Sequence, residues 1–228
     1  MMQRSLRLPL RFSLLVLLTT ALLTVPVTAA LGGDLFDRTA ARYELEPELL
    51  RAIAKVESNL YPWAININWE SFRPESPYQA VRLIRKVRQN PWLLRVDYAD
   101  RSDRLFFPTG LAAQQALAGL RQRATLLDIP APHQWEIRKL DVRSVDIGLM
   151  QINWKFHGEH FESMEDLFDP ATNLDYAARF LRQLLKTHGD LETAVAHYHS
   201  STIQFQEIYL KNVRAVYEQQ RLLARREE

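Results

Sequence analysis

Residues 47–58 read Pro47-Glu48-Leu49-Leu50-Arg51-Ala52-Ile53-Ala54-Lys55-Val56-Glu57-Ser58. Leu49, Leu50, Ile53, Ala54 and Val56 recur at helical spacing, and Pro47 stands where a first-turn proline is tolerated. Leu50, Ile53 and Ala54 precede Glu57 by seven, four and three residues. All four therefore share one face, and that face is the apolar one. A carboxylate directed at a core loses hydration, which disfavours its charged form. A carboxyl that keeps its proton near neutrality is what a general acid needs. A helix-end glutamate that bends out to solvent, or one paired with an arginine, fits the same position, because structural pairs also perturb carboxylates.

The rest of the chain extends this helical reading. Asp34 to Tyr43 reads as a short helical entry. A longer helix is expected from about Asp169-Pro170 to His188, with a stripe of Leu174, Ala177, Ala178, Leu181, Leu184 and Leu185, stopped by Gly189. Asp190 can cap a helix carrying Leu191, Ala194, Val195 and Tyr198. Ser201 with Gln204 resembles a capping box for a last helix through Ile208 and Val216. Only 7 of the 228 residues are glycine, about half of the usual ~7%. That scarcity disfavours glycine-rich phosphate loops and turn-dense β architectures.

Residues 61–146 differ. Ala64 to Trp69 and Arg104 to Pro108 are short and β-prone. Tyr78 to Val87 places Tyr78, Val81 and Ile84 at helical spacing, with the basic residues opposite. Gly110 to Ala124 reads as another helix, and Pro130 and Pro132 force an extended stretch. The expected class is mainly α, of the α+β kind: a helical domain with a small β-hairpin and an inserted helical segment at about 70–103.

A second stretch carries chemistry: Asp146-Ile147-Gly148-Leu149-Met150-Gln151-Ile152-Asn153. An isolated glycine among apolar residues often permits close approach by a ligand or another chain. Gln151 and Asn153 interleave amides with buried positions. A plain core segment with two solvated amides reads equally well.

The start of the chain reads as an export signal. Arg4, Arg7 and Arg11 precede an almost purely apolar run from Phe12 to Val25, followed by small residues at Val27-Thr28-Ala29. That order fits a secretory signal peptide over 1–29, leaving 30–228 as the mature domain. The run is 14 residues long, short of the ~20 that span a bilayer, so an uncleaved anchor is the alternative. The expected location is the periplasm. The formal net charge is +2, and removal of the signal takes away three arginines and no acid. Nothing then draws the protein to nucleic acid. The absence of cysteine excludes disulfides, thiolate metal sites and cysteine nucleophiles.

Glu57-Ser58, then Gly148-Leu149-Met150-Gln151-Ile152, then Ala196-His197-Tyr198 in a late helix resemble the three ordered motifs of the SLT-type lytic transglycosylases. These are lysozyme-like enzymes that cleave bacterial peptidoglycan. The similarity runs over about residues 34–68 and 104–217, with Asp169-Pro170 to Asn173 opening the intervening helix. The subgroup it looks closest to includes wall-opening enzymes of secretion and conjugation machineries. The resemblance implies a lysozyme-like fold, Glu57 as acid/base, Ser58 orienting the site, and Gly148, Leu149, Met150 and Gln151 lining the glycan cleft. It implies that Tyr198 packs beside the catalytic carboxyl. His199 stands where the family usually has asparagine, and the stretch from Glu57 to Gly148 is much longer than usual.

The implied reaction cleaves the β-1,4 bond between N-acetylmuramic acid and N-acetylglucosamine and leaves a 1,6-anhydromuramyl end, with no cofactor. One carboxyl suffices, whereas hydrolytic glycosidases usually use two. No second catalytic carboxylate is apparent. A noncatalytic wall-binding or assembly factor on the same fold, and a lysozyme-type hydrolase, are the alternatives. His157-Gly158-Glu159-His160 and His197-Tyr198-His199 suggest a metal, but without cysteines or His-Glu-x-x-His spacing no metal site is expected. Trp63, Trp69 and Trp154 fit either sugar stacking or core packing.

Overall fold

The computed structural model describes residues 33–227. The expected signal segment 1–29 lies outside them. Among the described residues no helix is long and apolar enough to cross a membrane.

The mainly α class expected from the pattern is the one observed. Five helices build the main body: α1 (Gly33–Tyr43), α2 (Pro47–Ser58), α6 (Pro170–His188), α7 (Leu191–His199) and α8 (Ile203–Glu227). α2 packs on α8, α8 on α7, α7 on α6, and α1 on both α2 and α6. Their stripes meet in one core: Leu50, Ile53 and Ala54 from α2, Leu174, Ala177 and Leu181 from α6, Val195 from α7 and Val213 from α8.

The ends of these helices have local causes. α2 stops because Asn59 turns left-handed at φ 58°. The Asn59 and Leu60 amides then donate to the Lys55 and Ala54 carbonyls at 3.0 and 3.1 Å, which satisfies the last turn. Asp169 caps α6 by accepting from the Thr172 amide, and Asp190 caps α7 through the Thr193 amide. Gly189 ends α6 at φ 81°.

Two antiparallel sheets flank this body. The first contains β1 (Ile65–Ile67), β2 (Glu70–Phe72), β6 (Val145–Ile147) and β7 (Ile152–Asn153), in the order β2-β1-β6-β7. Asn66 lies opposite Asp146, and Asp146 opposite Asn153. Alternation buries Ile65, Ile67, Val145 and Ile147 in the core, so Asn66, Asp146 and Asn153 share the other face. The second sheet contains β3 (Trp92–Asp97), β4 (Ser102–Phe107) and β5 (Gln134–Lys139), in the order β4-β3-β5. Helix α4 (Gly110–Leu127) packs on it, around a separate cluster of Leu94, Val96, Ala113 and Leu117.

The β-prone stretches at Ala64–Trp69 and Arg104–Pro108 thus belong to different sheets. Residues 70–103, expected as one inserted segment, are divided between the two cores. Ala80, Ile84 and Val87 of α3 (Pro77–Gln89), with Leu93, sit in the main cluster. Leu94 and Val96 sit in the second. The main core extends across this region, so the stretch is not an appendage of its own.

A buried carboxylate joins the sheets. Glu70 is 2% exposed, and every strand of the second sheet sends it an arginine. Arg104 of β4 donates to Oε1, Arg138 of β5 donates to Oε2 at 2.7 Å, and Arg95 of β3 lies 3.5 Å away. Arg95 and Arg138 are in turn neutralised by Glu136. A buried charge survives only when paired in this way.

Candidate active site

Glu57 lies in the last turn of α2, with its side chain 13% exposed. The left-handed turn at Asn59 fixes the helix end just beyond it, so the carboxylate has a defined direction. His199, the last residue of α7, brings Nδ1 to 3.8 Å from Glu57 Oε1. Its ring stacks on Tyr209 of α8, with centroids 4.3 Å apart and planes within 5°. The buried Tyr209 hydroxyl makes no hydrogen bond of full geometry. Glu57 still acts on it through its charge.

Burial and then the charge of Glu57 hold the pKa of both Tyr198 and Tyr209 well above the ordinary phenol value. Both rings therefore remain protonated donors near neutrality. Tyr198 uses its hydroxyl to bond the Met150 carbonyl at 2.8 Å, which ties α7 to the Gly148 segment.

Asp146 is the second carboxylate of this cluster. Its pKa is raised first by burial and further by the charge of Glu57, while a hydrogen bond from Asn153 and the nearby His199 act the other way. The Asn153 amide donates to Asp146 Oδ1 at 2.7 Å. Sequence reading missed this residue. The signal was the alternation Val145-Asp146-Ile147, which puts the aspartate on the polar face of a strand beside a glycine turn.

The Gly148 segment is held by side chains beneath it. Gly148 has φ 82°, and a Cβ there would lie 2.4 Å from Asn173 Nδ2 and 2.6 Å from the Leu167 carbonyl. Asn173 is wholly buried. Its Oδ1 accepts from the Met150 amide at 2.8 Å, and its Nδ2 donates to the Ile147 and Leu167 carbonyls at 3.0 Å each. Gln151 is left-handed at φ 47° and folds its amide back onto the Gly148 and Ala64 carbonyls. Ser58 is buried; its hydroxyl lies 2.7 Å from the Leu149 carbonyl, as donor, and accepts from the Tyr61 amide at 3.0 Å.

The residues expected at the site therefore divide by role. Glu57, Tyr198 and His199 come together. Ser58, Gly148 and Gln151 shape the backbone around them. Leu149 and Met150, consecutive in the turn between β6 and β7, both enter the core, at 0% and 1% exposure. Asp146, Tyr209 and Asn173 are the additions made by the fold.

The histidines are dispersed. His157 bonds Tyr176 through Nδ1 at 2.8 Å, and His197 stacks on His188. Among the described residues no group of three or more His, Asp or Glu is placed to hold a metal ion. Trp63, and Trp154 of the short α5 (Trp154–His157), pack against the main core, while Trp69 is 89% exposed. Two concavities lie apart from Glu57: about 530 Å³ along the basic face of α3, and about 270 Å³ between α2, α7 and α8.

No curated protein and no solved structure matches the chain. Residues 132–217 match the family model of the transglycosylase SLT domain. The match is shorter than half the chain and begins after Glu57 and Ser58, yet it contains Asp146, Gly148 to Gln151, Asn173, Tyr198, His199 and Tyr209. With the mainly helical fold, the chain is thus similar over this stretch to a lysozyme-like transglycosylase domain.

Proposed function

We propose that this chain is an exported lytic transglycosylase with Glu57 as its single acid/base. The substrate bond is the β-1,4 link between N-acetylmuramic acid and N-acetylglucosamine. Glu57 donates its proton to the glycosidic oxygen, and the leaving sugar departs as an alcohol. The carboxylate so formed takes the proton of the muramyl 6-hydroxyl, whose oxygen closes on the anomeric carbon. The product is a 1,6-anhydromuramyl end, Glu57 is again protonated, and water is not consumed. An intramolecular hydroxyl has a large effective concentration, so no water-activating group is required.

The observation that carries this reading is a nearly buried carboxylate that faces a histidine and acts electrically on two phenols and a second acid. Mass spectrometry of peptidoglycan digests tests it. Anhydro ends with the wild type and none with Glu57→Gln are expected; no digestion by the wild type overturns it.

Asp146 favours a second reading, a hydrolase. There Asp146 stabilises the glycosyl intermediate while Glu57 acts as acid and then as base for water. Reducing ends in the same digests would select it. Export of a mature form beginning near Ala30 and release into the periplasm rest on the signal-like order of residues 1–29, and service to a secretion or conjugation machine on the resemblance. N-terminal sequencing of the released protein tests the export step.

A further inference from the structure

Asn68 and Trp69 form the two-residue turn between β1 and β2, with Ile67 paired to Glu70 across it. Both turn residues have positive φ, 50° and 69°. This is the primed hairpin turn, in which glycine is the favoured second residue because it has no Cβ to clash. The chain carries instead its bulkiest side chain there, and the indole is 89% exposed. The position therefore has a backbone penalty with no burial in return.

The surrounding contacts hold the turn in place. The Trp69 amide donates to Asn66 Oδ1 at 3.0 Å. The Asn68 carbonyl accepts from Arg138 Nη1, and Asn68 Oδ1 accepts from the Asp141 amide at 2.6 Å. Glu70, next in sequence, is held by Arg104 and Arg138. None of these bonds uses the indole. They fix a strained backbone around an aromatic ring presented to solvent, which is how strain persists at a functional position.

The turn also has a defined relation to the candidate site. Asn66, which accepts the Trp69 amide, stands directly opposite Asp146 in register. Two residues, Ile67 and Asn68, separate Asn66 from Trp69, and the turn folds the Trp69 amide back to within 3.0 Å of the Asn66 side chain.

We propose that Trp69 is a sugar-stacking platform at the far end of the glycan site, receiving the apolar C–H face of a pyranose ring several sugars from the scissile bond. This rests on the reading of a glycan strand as substrate. An exposed indole on a fixed backbone suits that role: it gives a large flat contact with only two side-chain torsions to order on binding.

The test measures binding of the full chain in the Glu57→Gln background, which holds substrate without cleaving it, using purified peptidoglycan sacculi in a co-sedimentation assay. Trp69→Gly should weaken binding about three- to tenfold, and Trp69→Phe should keep most of it. Trp69→Gly should also melt at a higher temperature than its parent, because glycine relieves the left-handed backbone, an effect that a structural tryptophan would reverse. Equal binding by Trp69→Gly, or a lower melting temperature, overturns the proposal. Loss of binding to phosphatidylethanolamine–phosphatidylglycerol vesicles, with sacculi binding intact, overturns it in favour of a membrane contact. If the parent binds no sacculi, the glycan reading itself fails, and the platform with it.

Discussion

The side-chain amide of Asn173 occupies the space that a side chain at position 148 would need. Its Nδ2 would lie 2.4 Å from a Cβ on Gly148, while the same amide bonds the Ile147 carbonyl and the Met150 amide on either side of that glycine. One buried residue in the first turn of α6 thus sets the path of the loop that passes beneath Glu57 and Tyr198.

Gly148→Ala should therefore be strongly destabilising. The methyl collides with the Asn173 amide and the Leu167 carbonyl, and φ 82° is unfavourable for alanine. A loss of about 2–4 kcal/mol is expected from overpacking and backbone strain, or roughly 5–15 °C in Tm at about 2–4 °C per kcal/mol. A thermal melt within about 2 °C of wild type would contradict the geometry.

Glu57→Gln should keep the fold, since an amide of similar shape fills the same nearly buried site. It should remove wall cleavage by at least about a hundredfold, the usual worth of a positioned acid. Digestion of sacculi at wild-type rate by a cooperatively melting Glu57→Gln protein would remove Glu57 from the reaction.

The helical stripe of Leu50, Ile53 and Ala54, the helix start at Asp169-Pro170, the cap at Asp190 and the stop at Gly189 were legible, because each is a local signal. Asp146 and Tyr209 were not. Asp146 lies between Val145 and Ile147 and looks like a break in a hydrophobic run until the strand alternation is known. Tyr209 lies in a long helix far down the chain, and only the packing of α2 on α8 brings it to Glu57. The second sheet was obscured for a related reason. β5 reads Gln134-Trp135-Glu136-Ile137-Arg138-Lys139, and its charges look solvated. Arg138 in fact lies 3.1 Å from Glu136 and also reaches the buried Glu70.

Glu70→Ala should separate the two sheets energetically. It leaves Arg95, Arg104 and Arg138 gathered around an empty site, and removing one partner of a buried ionic cluster costs about 3–5 kcal/mol. The second sheet and α4 have only a small cluster of their own, so hydrogen exchange should accelerate first in residues 92–139. Uniform exchange across the chain would show that Glu70 is not the link between them.

Replacing residues 70–103 with a short Gly-Ser linker should abolish cooperative unfolding. The excision takes Ala80, Ile84, Val87 and Leu93 out of the main core, together with the Glu70 anchor and strand β3 at the centre of the second sheet. A sharp thermal transition in that variant would mean that the main core closes without α3.

Asp146→Asn separates the two chemistries and carries its own pH signature. The introduced amide oxygen can still accept the hydrogen bond from Asn153, so the local structure should persist. If Glu57 works alone, the variant keeps forming anhydro ends; if Asp146 supports a glycosyl intermediate, turnover falls by about a hundredfold or more. The stability effect follows from the raised folded-state pKa of Asp146. Below its unfolded pKa, about 3.9, both states hold the proton and this contribution to stability is fully present. As pH rises, the unfolded chain releases the proton first, while the folded one retains it because burial and the Glu57 charge disfavour the anion. Stability is therefore lost up to the folded pKa and constant above it. An asparagine side chain does not titrate, so the Tm of the variant relative to wild type should rise from about pH 3.5 upward and then level off. Thermal melts from about pH 3 to about pH 7 would show this, and a difference that shrinks as pH increases would mean that Asp146 is stabilised as an anion in the folded protein.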